Sequence, residues 1–142
     1  MKLVQHLLDA KGSDVISIAA DASVLDAIRV MAERSVGSLL VMDEGEISGI
    51  VTERDYARKV ILLGRSSETT TVEAIMSTEV ITATAEQTVG ECMTLMTEKR
   101  IRHLPVVADD KVVGLISIGD LVQAIISDQQ LEIEQLENYI SG

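Results

Sequence analysis

The first half of the chain carries an apolar pattern that predicts a strand followed by an amphipathic helix. Val15–Ile18 is a short apolar segment typical of a strand. Apolar residues then recur at helical spacing, at Val24, Ala27, Ile28 and Met31. The helix is expected to begin at Ser23-Val-Leu-Asp26, because Ser followed three residues later by an acidic residue is typical of a capping box.

A hairpin and a second helix are predicted next. The apolar runs Ser38–Met42 and Ile47–Val51 flank the polar turn Asp43–Glu46, a pattern that predicts two antiparallel strands. The second helix is expected over Glu53–Leu63, ended by Gly64, because glycine readily adopts the conformation that closes a helix. The predicted unit is therefore strand, helix, strand, strand, helix.

The same order of elements occurs again later in the chain. Gly49–Asp55 reads GIVTERD and Gly114–Asp120 reads GLISIGD, 65 positions further on. A gapless comparison of residues 15–61 with 80–126 gives eleven identities in 47 positions and keeps the apolar pattern. The second copy has its own predicted strand over Val80–Ala83 and its own capping box over Thr88–Glu91. The chain therefore contains an internal repeat.

The region before each copy differs in length. Leu8 lies seven residues before Val15, whereas the corresponding Met76 lies four before Val80, so the first copy has a three-residue insertion. We expect residues 1–64 to form repeat 1 with an N-terminal helix, 65–71 a polar linker, 72–127 repeat 2 and 128–142 a C-terminal helical extension. A short helix is expected over Thr71–Met76. One copy offers too little core to stand alone, so the fold is predicted to be α+β, with the two β-α-β-β-α repeats packed as a pseudo-twofold pair.

The composition narrows the classes of partner. Of the 142 residues, 46% are hydrophobic, with no Phe or Trp, and the net charge is −11. This charge argues against nucleic acid and against an acidic membrane surface, because both attract cations. A single cysteine, no apolar run of membrane-spanning length and no signal-like start predict a cytoplasmic protein.

Taken together, the repeat order, the doubled Gly-aliphatic-aliphatic-[Ser/Thr]-x-x-Asp segment and RIRHLPVV at Arg100–Val107 resemble the tandem CBS-domain pair, or Bateman module. The likeness extends from about Val15 to Ile126. The resemblance implies a regulatory fold without catalysis of its own. It also implies adenosyl ligands: AMP, ADP or ATP first, with NAD or S-adenosylmethionine as alternatives.

Thr52 and Asp55 allow two interpretations. The free N–H groups at a helix start favour anions, and a carboxylate can accept both hydroxyls of a ribose diol. Thr-x-x-Asp is equally a capping box, and spacing alone favours that interpretation. The resemblance favours ribose binding by the aspartate, with which capping can coexist.

The resemblance further implies two pockets, in each of which the aspartate of one repeat faces the first and second strands of the other. The first pocket is expected to contain Ile50, Thr52, Asp55, Val80, Ile81, Thr82, Ile101, Arg102, His103 and Pro105. The second is expected to contain Leu115, Ser117, Asp120, Ile16, Ser17, Val36, Gly37, Ser38 and Leu40.

Cations are concentrated in two clusters, which are either solvated faces or anion sites. These are Lys99, Arg100, Arg102 and His103, and Arg54, Arg58, Lys59 and Arg65. We favour an anion role for Arg102 and His103, with Arg54 as a further candidate. Since Gly37 and Ser38 replace Arg102 and His103 in copy one, the Asp55 pocket is expected to take the more charged ligand, and the Asp120 pocket to bind weakly or take a less charged one.

The remaining candidates indicate structure rather than chemistry. Cys92 aligns with the buried stripe, and His6 and His103 have no spacing relation to it, so neither a nucleophile nor a metal site is expected. A short heptad-like seam closes the chain, consistent with a homodimer contact or with packing on the chain's own body: Val122, Ile126, Gln129, Ile133, Leu136 and Ile140. The predicted function is adenine-nucleotide sensing; the rival is a structural dimerisation module with vestigial pockets.

Overall fold

The computed structural model describes residues 2–12 and 15–141. Helices and strands follow one another in the predicted order. They are α1 Val4–Lys11, β1 Ser17–Ile18, α2 Val24–Arg34, β2 Ser38–Asp43, β3 Glu46–Thr52, α3 Glu53–Tyr56, α4 Val89–Lys99, β4 His103–Ala108, β5 Lys111–Ser117 and α5 Ile118–Ser141. The mixed helix and strand content confirms the predicted α+β class.

The chain divides into two compact units. Of the described residues, one unit, the first-repeat unit, takes in 15–81 and 109–112; the other, the second-repeat unit, takes in 2–12, 82–108 and 113–141. Helix α1 therefore belongs with the second repeat, and residues 65–81 belong with the first. The sequence-order boundaries at 64, 71 and 127 stay predictions, but the segment that precedes one repeat packs on the body of the other.

The first-repeat unit is a three-stranded sheet with helices on it. Strand β1 pairs parallel with β2, and β2 pairs antiparallel with β3, with a bulge between Val41 and Met42. Strand alternation places Leu39, Val41 and Val51 in the core, where they join Val24 and other residues of α2. The Ser23 hydroxyl begins α2 by accepting a hydrogen bond from the Asp26 N–H, as the sequence predicts.

The second-repeat unit repeats this scheme with a smaller sheet. Strand β4 pairs with β5, and the predicted third strand is reduced to one parallel bridge between Ala83 and Val106. Thr88 and Glu91 form both bonds of the capping box that opens α4. The prediction of a full strand over Val80–Ala83 is wrong because only Ala83 bonds to β4, through Pro105 O and Val107 N–H.

The two motif glycines explain why each preceding segment lies where it does. A Cβ at Gly49 would lie 2.6 Å from Ser77 O and 2.8 Å from Met76 Sδ. A Cβ at Gly114 would lie 2.5 Å from Leu8 Cδ2. Met76 and Leu8 are corresponding residues in the sequence comparison: each precedes the segment whose length differs between the two copies. Each glycine therefore gives the preceding segment of the other repeat room to approach a strand.

Two predicted helices differ in type from the expectation. The helix expected over Glu53–Leu63 begins as α3 and continues as a π-helix over Ala57–Ile61. The helix expected over Thr71–Met76 is one 3₁₀ turn, Val72–Ala74, whose Val72 and Glu73 N–H groups donate to the Ala22 and Ala20 carbonyls. Periodicity did not distinguish these forms, because one turn of any helix presents nearly the same apolar spacing.

Candidate functional site

Asp55 lies in the first turn of α3 and is held by the residue that caps the helix. Its Oδ2 accepts hydrogen bonds from the Thr52 N–H and the Thr52 hydroxyl, each at 3.0 Å, and the Asp55 N–H donates to Thr52 Oγ1. The capping interpretation of this motif is thus confirmed. The carboxylate is still 18% exposed, so capping leaves part of it accessible.

Asp120 has the equivalent position at the start of α5. Its Oδ2 accepts from the Ser117 N–H at 2.8 Å, and its own N–H donates to Ser117 Oγ at 3.1 Å. The side chain is 25% exposed. The duplication therefore builds the same carboxylate geometry in both units, each at a strand-to-helix junction where the backbone N–H groups favour an anion or a hydroxyl oxygen.

A lysine ammonium accompanies each of these carboxylates. Lys59, one turn along the same helix, lies 3.3 Å from Asp55 Oδ1 and donates to Ile75 O at 2.8 Å. Lys11, at the end of α1, donates to Asp120 Oδ2 at 2.6 Å and to Leu115 O at 2.8 Å. Lys59 belongs to a cation cluster visible in the sequence, whereas the sequence pattern does not place Lys11 beside Asp120. The only unusual feature of the sequence near Lys11 is the three-residue insertion, which does not indicate where the lysine side chain points.

The environment of Asp120 favours its charged form. Partial burial would raise the pKa of the carboxyl, but hydrogen bonds from Lys11 and Ser117 and the Lys11 charge outweigh burial and leave the pKa below its ordinary value. The carboxylate is consequently an acceptor at neutral pH.

His103 is the first residue of β4, and the charge of Asp120 affects the pKa of its imidazole. Burial lowers the pKa of its imidazole; Asp120 opposes this shift, while Lys11 and Arg102 add to it, and the net pKa is below the ordinary value. His103 is therefore neutral at pH 7. Its predicted role in binding an anion then depends on hydrogen bonding rather than on charge.

The other predicted site residues differ in accessibility. Arg54, Arg102, Thr82, Ser17 and Gly37 are exposed, so their side chains or backbone are open to a ligand. A second set is half-buried and suited to the walls of a pocket: Ile16, Val36, Ile50, Val80, Ile81, Ile101, Leu115 and Ser117. Ser38, Leu40 and Pro105 are buried. The pairing of each aspartate with strands of the other repeat stays a prediction.

A cavity of about 300 Å³ adjoins Asp120 within the second-repeat unit. Helices α1 and α5, with Lys2 just before α1, supply its walls. They contribute Lys2, His6, Leu7, Ala10, Lys11, Asp120, Gln123, Ala124 and Ser127. His6 Nδ1 accepts a hydrogen bond from the Leu3 N–H at 3.0 Å, so this ring caps the start of α1. The sequence does not predict this cavity, because its pattern places α1 with the first repeat.

Cys92 is buried on α4, and burial followed by the Glu91 charge raises the pKa of its thiol, which disfavours the reactive thiolate. No cluster of three or more His, Cys, Asp or Glu side chains suited to a metal ion occurs among residues 2–12 and 15–141. None of the helices in those ranges is long and apolar enough to cross a membrane.

The second half of α5 presents the predicted seam to solvent. Ile133, Leu136 and Ile140 are 54%, 61% and 83% exposed. All residues from Gln129 to Ser141 are exposed, so packing of this part on the chain's own body is not observed.

Comparison with known proteins identifies the repeat. The family model described as "CBS domain" matches residues 9–61 and again 72–127. The chain is 46% identical over 127 residues to the CBS domain-containing protein CBSX3, mitochondrial, of Arabidopsis thaliana. The matched region covers 86% of this chain and 62% of that relative. It thus spans less than two thirds of that relative's length.

Solved structures agree. A protein from Burkholderia ambifaria, described as a candidate signal-transduction protein with CBS domains, is 51% identical with a TM-score of 0.86 over 90% of this chain and 96% of that one. The CBS domain pair of MJ0100, solved with 5′-methylthioadenosine and S-adenosyl-L-methionine, is 27% identical with a TM-score of 0.78 over 90% and 98%. The duplicated motif, the two family matches and these structures show that the chain belongs to the CBS domain family and contains two of its repeats.

Proposed function

We propose that this protein is a regulatory module that binds an adenosyl ligand through Asp55 and Asp120 and passes the bound state to a partner. The observation that carries the proposal is the repeated carboxylate. In both units the aspartate lies in the first turn of a helix, is held on one oxygen by its capping residue and remains partly exposed. A carboxylate so fixed can accept the two hydroxyls of a ribose without losing its position.

The residues around Asp55 and Asp120 suit the rest of such a ligand. Aliphatic side chains such as Ile50 and Leu115 are half-buried and offer apolar contact to an adenine ring. Exposed Arg54 and Arg102 offer charge to phosphates, which favours AMP, ADP or ATP over uncharged adenosyl ligands. The MJ0100 pair supports the adenosyl class, since its structure contains 5′-methylthioadenosine and S-adenosyl-L-methionine.

Regulation requires that the ligand bind one conformation better than another. We propose that the bound ligand stabilises one arrangement of the module and that a protein partner or a second copy responds to it, without turnover of the ligand. The proposed location remains the cytoplasm, although CBSX3 is described as mitochondrial.

The test is calorimetric titration with AMP, ATP, NAD, S-adenosylmethionine and 5′-methylthioadenosine. Asp55→Asn and Asp120→Asn keep an acceptor oxygen for the cap but remove the charge. We expect each to weaken binding at its own site about tenfold or more, because hydrogen bonds to charged groups contribute about 1.5–3 kcal/mol. Glu91→Gln is the matched control, since Glu91 serves a capping box on α4 and no ligand role is assigned to it. Unchanged affinity in both aspartate variants would contradict the proposal.

A second candidate function is structural dimerisation, which the exposed seam on α5 favours. A second copy is the proposed occupant because apolar residues follow the 4-3 spacing of a two-helix seam. Sedimentation should give a dimer that Ile133→Asp with Leu136→Asp converts to a monomer. A wild-type monomer at all concentrations would exclude this contact. Dimerisation with no adenosyl binding would favour the structural module over the sensor.

A further inference from the structure

Lys11 occupies one oxygen of the carboxylate that the proposed function assigns to a ligand. Its Nζ donates to Asp120 Oδ2 at 2.6 Å and to Leu115 O at 2.8 Å. The same Oδ2 also accepts from the Ser117 N–H. Any diol that approaches Asp120 therefore meets an oxygen that already accepts two hydrogen bonds, and must displace the lysine to bond with it directly.

The duplication does not account for this contact. In the first-repeat unit, Asp55 pairs with Lys59 of its own helix, and the position 65 residues after Lys59 is Ala124. Counted from the residues that meet the motif glycines, Lys11 is third after Leu8, and Glu79 is third after Met76. An acidic residue at that place cannot pair with Asp55. The Lys11 contact is thus specific to the second-repeat unit.

The contact is also of a kind that a ligand can break. Lys11 and Asp120 are 36% and 25% exposed, and partly exposed pairs contribute little net free energy. The cavity of about 300 Å³ beside them gives the lysine side chain space into which it can withdraw. The ammonium is therefore a weakly held occupant rather than a fixed strut.

We propose that Lys11 is a specificity-determining residue that competes with the ligand diol for Asp120 and so lowers the affinity of this site. The inference rests on the proposed function, and it gives a physical cause for weak binding at the Asp120 site, which is one of the two alternatives that the sequence leaves open. Helix α1 thereby regulates the Asp120 site, since Lys11 is its last residue.

Adenosine and 2′-deoxyadenosine are the decisive probes. Both are uncharged, so no phosphate interacts with the ammonium, and only adenosine has the cis-diol. Titrations use the full chain carrying Asp55→Ala, so that only the Asp120 site reports. Lys11→Met retains the aliphatic stem. Lys2→Met is the matched control, because Lys2 lines the same cavity but pairs with Asp128.

We expect Lys11→Met to tighten adenosine binding about twofold to fivefold, which corresponds to about 0.4–1 kcal/mol and lies within what an exposed ion pair contributes. Binding of 2′-deoxyadenosine, and of both nucleosides to the Lys2→Met chain, should change by less than about 1.5-fold. Unchanged or weaker adenosine binding in Lys11→Met overturns the proposal. Equal tightening of both nucleosides also overturns it, because that result shows a general opening of the site.

A measurement without ligand separates this inference from the proposed function. Carbon-13 NMR of the Asp120 carboxyl should show a higher pKa in Lys11→Met than in the parent chain. If no adenosyl compound binds any of these variants, both the proposed sensing function and the competition by Lys11 are refuted. A raised carboxyl pKa in Lys11→Met would then still establish the contact between Lys11 and Asp120. An unchanged carboxyl pKa shows that Lys11 does not occupy Asp120 and overturns the inference even if the ligands bind.

Discussion

Adding one methyl group at Gly49 should destabilise the protein more than adding the same group at Gly114. Both glycines begin the same motif and both are buried, Gly49 on β3 and Gly114 on β5. They differ in what the new Cβ would meet. At Gly49 the nearest atom is the backbone oxygen of Ser77 at 2.6 Å, whereas at Gly114 it is the side-chain tip of Leu8 at 2.5 Å.

The size of the effect follows from how easily each neighbour moves. Ser77 is fixed by two hydrogen bonds with Ile50, each 2.9 Å, so relief of the clash strains or breaks them. Overpacking costs about 1–3 kcal/mol and a lost hydrogen bond about 1 kcal/mol, while replacing Gly by Ala gains about 0.4–1 kcal/mol from the unfolded chain. The net loss for Gly49→Ala is about 2 kcal/mol. Rotation of Leu8 limits the loss for Gly114→Ala to about 1 kcal/mol or less.

Thermal unfolding followed by circular dichroism measures the difference. For a domain of this length, about 2 kcal/mol corresponds to a fall in Tm of about 6 °C for Gly49→Ala, against less than about 3 °C for Gly114→Ala. Equal losses, or a larger loss at Gly114, would refute the argument that backbone and side-chain neighbours set the cost.

Three further predictions concern titration and reactivity. Because the pKa of His103 is lowered, its stabilising effect is present above about pH 6.5 and is lost as the pH falls through the folded value; His103→Gln should therefore flatten the fall in Tm between about pH 7 and 5, and an equally steep fall would contradict this. The pKa of Asp120 is also lowered, so its contribution is present above about pH 4 and lost below it, and Lys11→Met should reduce the acid-induced loss of unfolding free energy in urea titrations. Cys92, buried and with a raised pKa, should react with a thiol reagent at least about tenfold more slowly in the native than in the unfolded protein, and comparable rates would show that α4 opens readily.

Repetition made much of the fold predictable. Eleven identities over 47 positions and matching capping residues set the order of elements in both units, and the hairpins appear where the polar turns indicated them. The carboxylates were also predictable, because Thr52-x-x-Asp55 and Ser117-x-x-Asp120 fix their own geometry through local bonds. Features that depend on bonds between residues up to about three positions apart could therefore be predicted from the sequence.

What the sequence did not reveal depends on contacts between distant segments. Helix α1 lies before the region in which the two copies align without gaps, and its membership of the second-repeat unit rests on packing such as that of Leu8 against Gly114. Lys11 reaches Asp120 across 109 positions, and composition alone does not predict such a contact. The strand expected at Val80–Ala83 failed for the same reason, since a strand exists only where a partner pairs with it.

The two sites therefore have the same local geometry but differ in the lysine that pairs with the carboxylate: Lys59 with Asp55, and Lys11 with Asp120. Duplication preserved the capping residue and the aspartate, which local bonding requires. The cations lie outside that local bonding and differ between the copies: Lys59 has Ala124 as its counterpart, and Lys11 has Glu79. Lys59 lies on the same helix as its aspartate, whereas Lys11 is carried by α1, a separate element. If the proposed sensing holds, the Asp120 site is the one whose affinity depends on a separate element of the chain. Regulation is then expected to act on that site first.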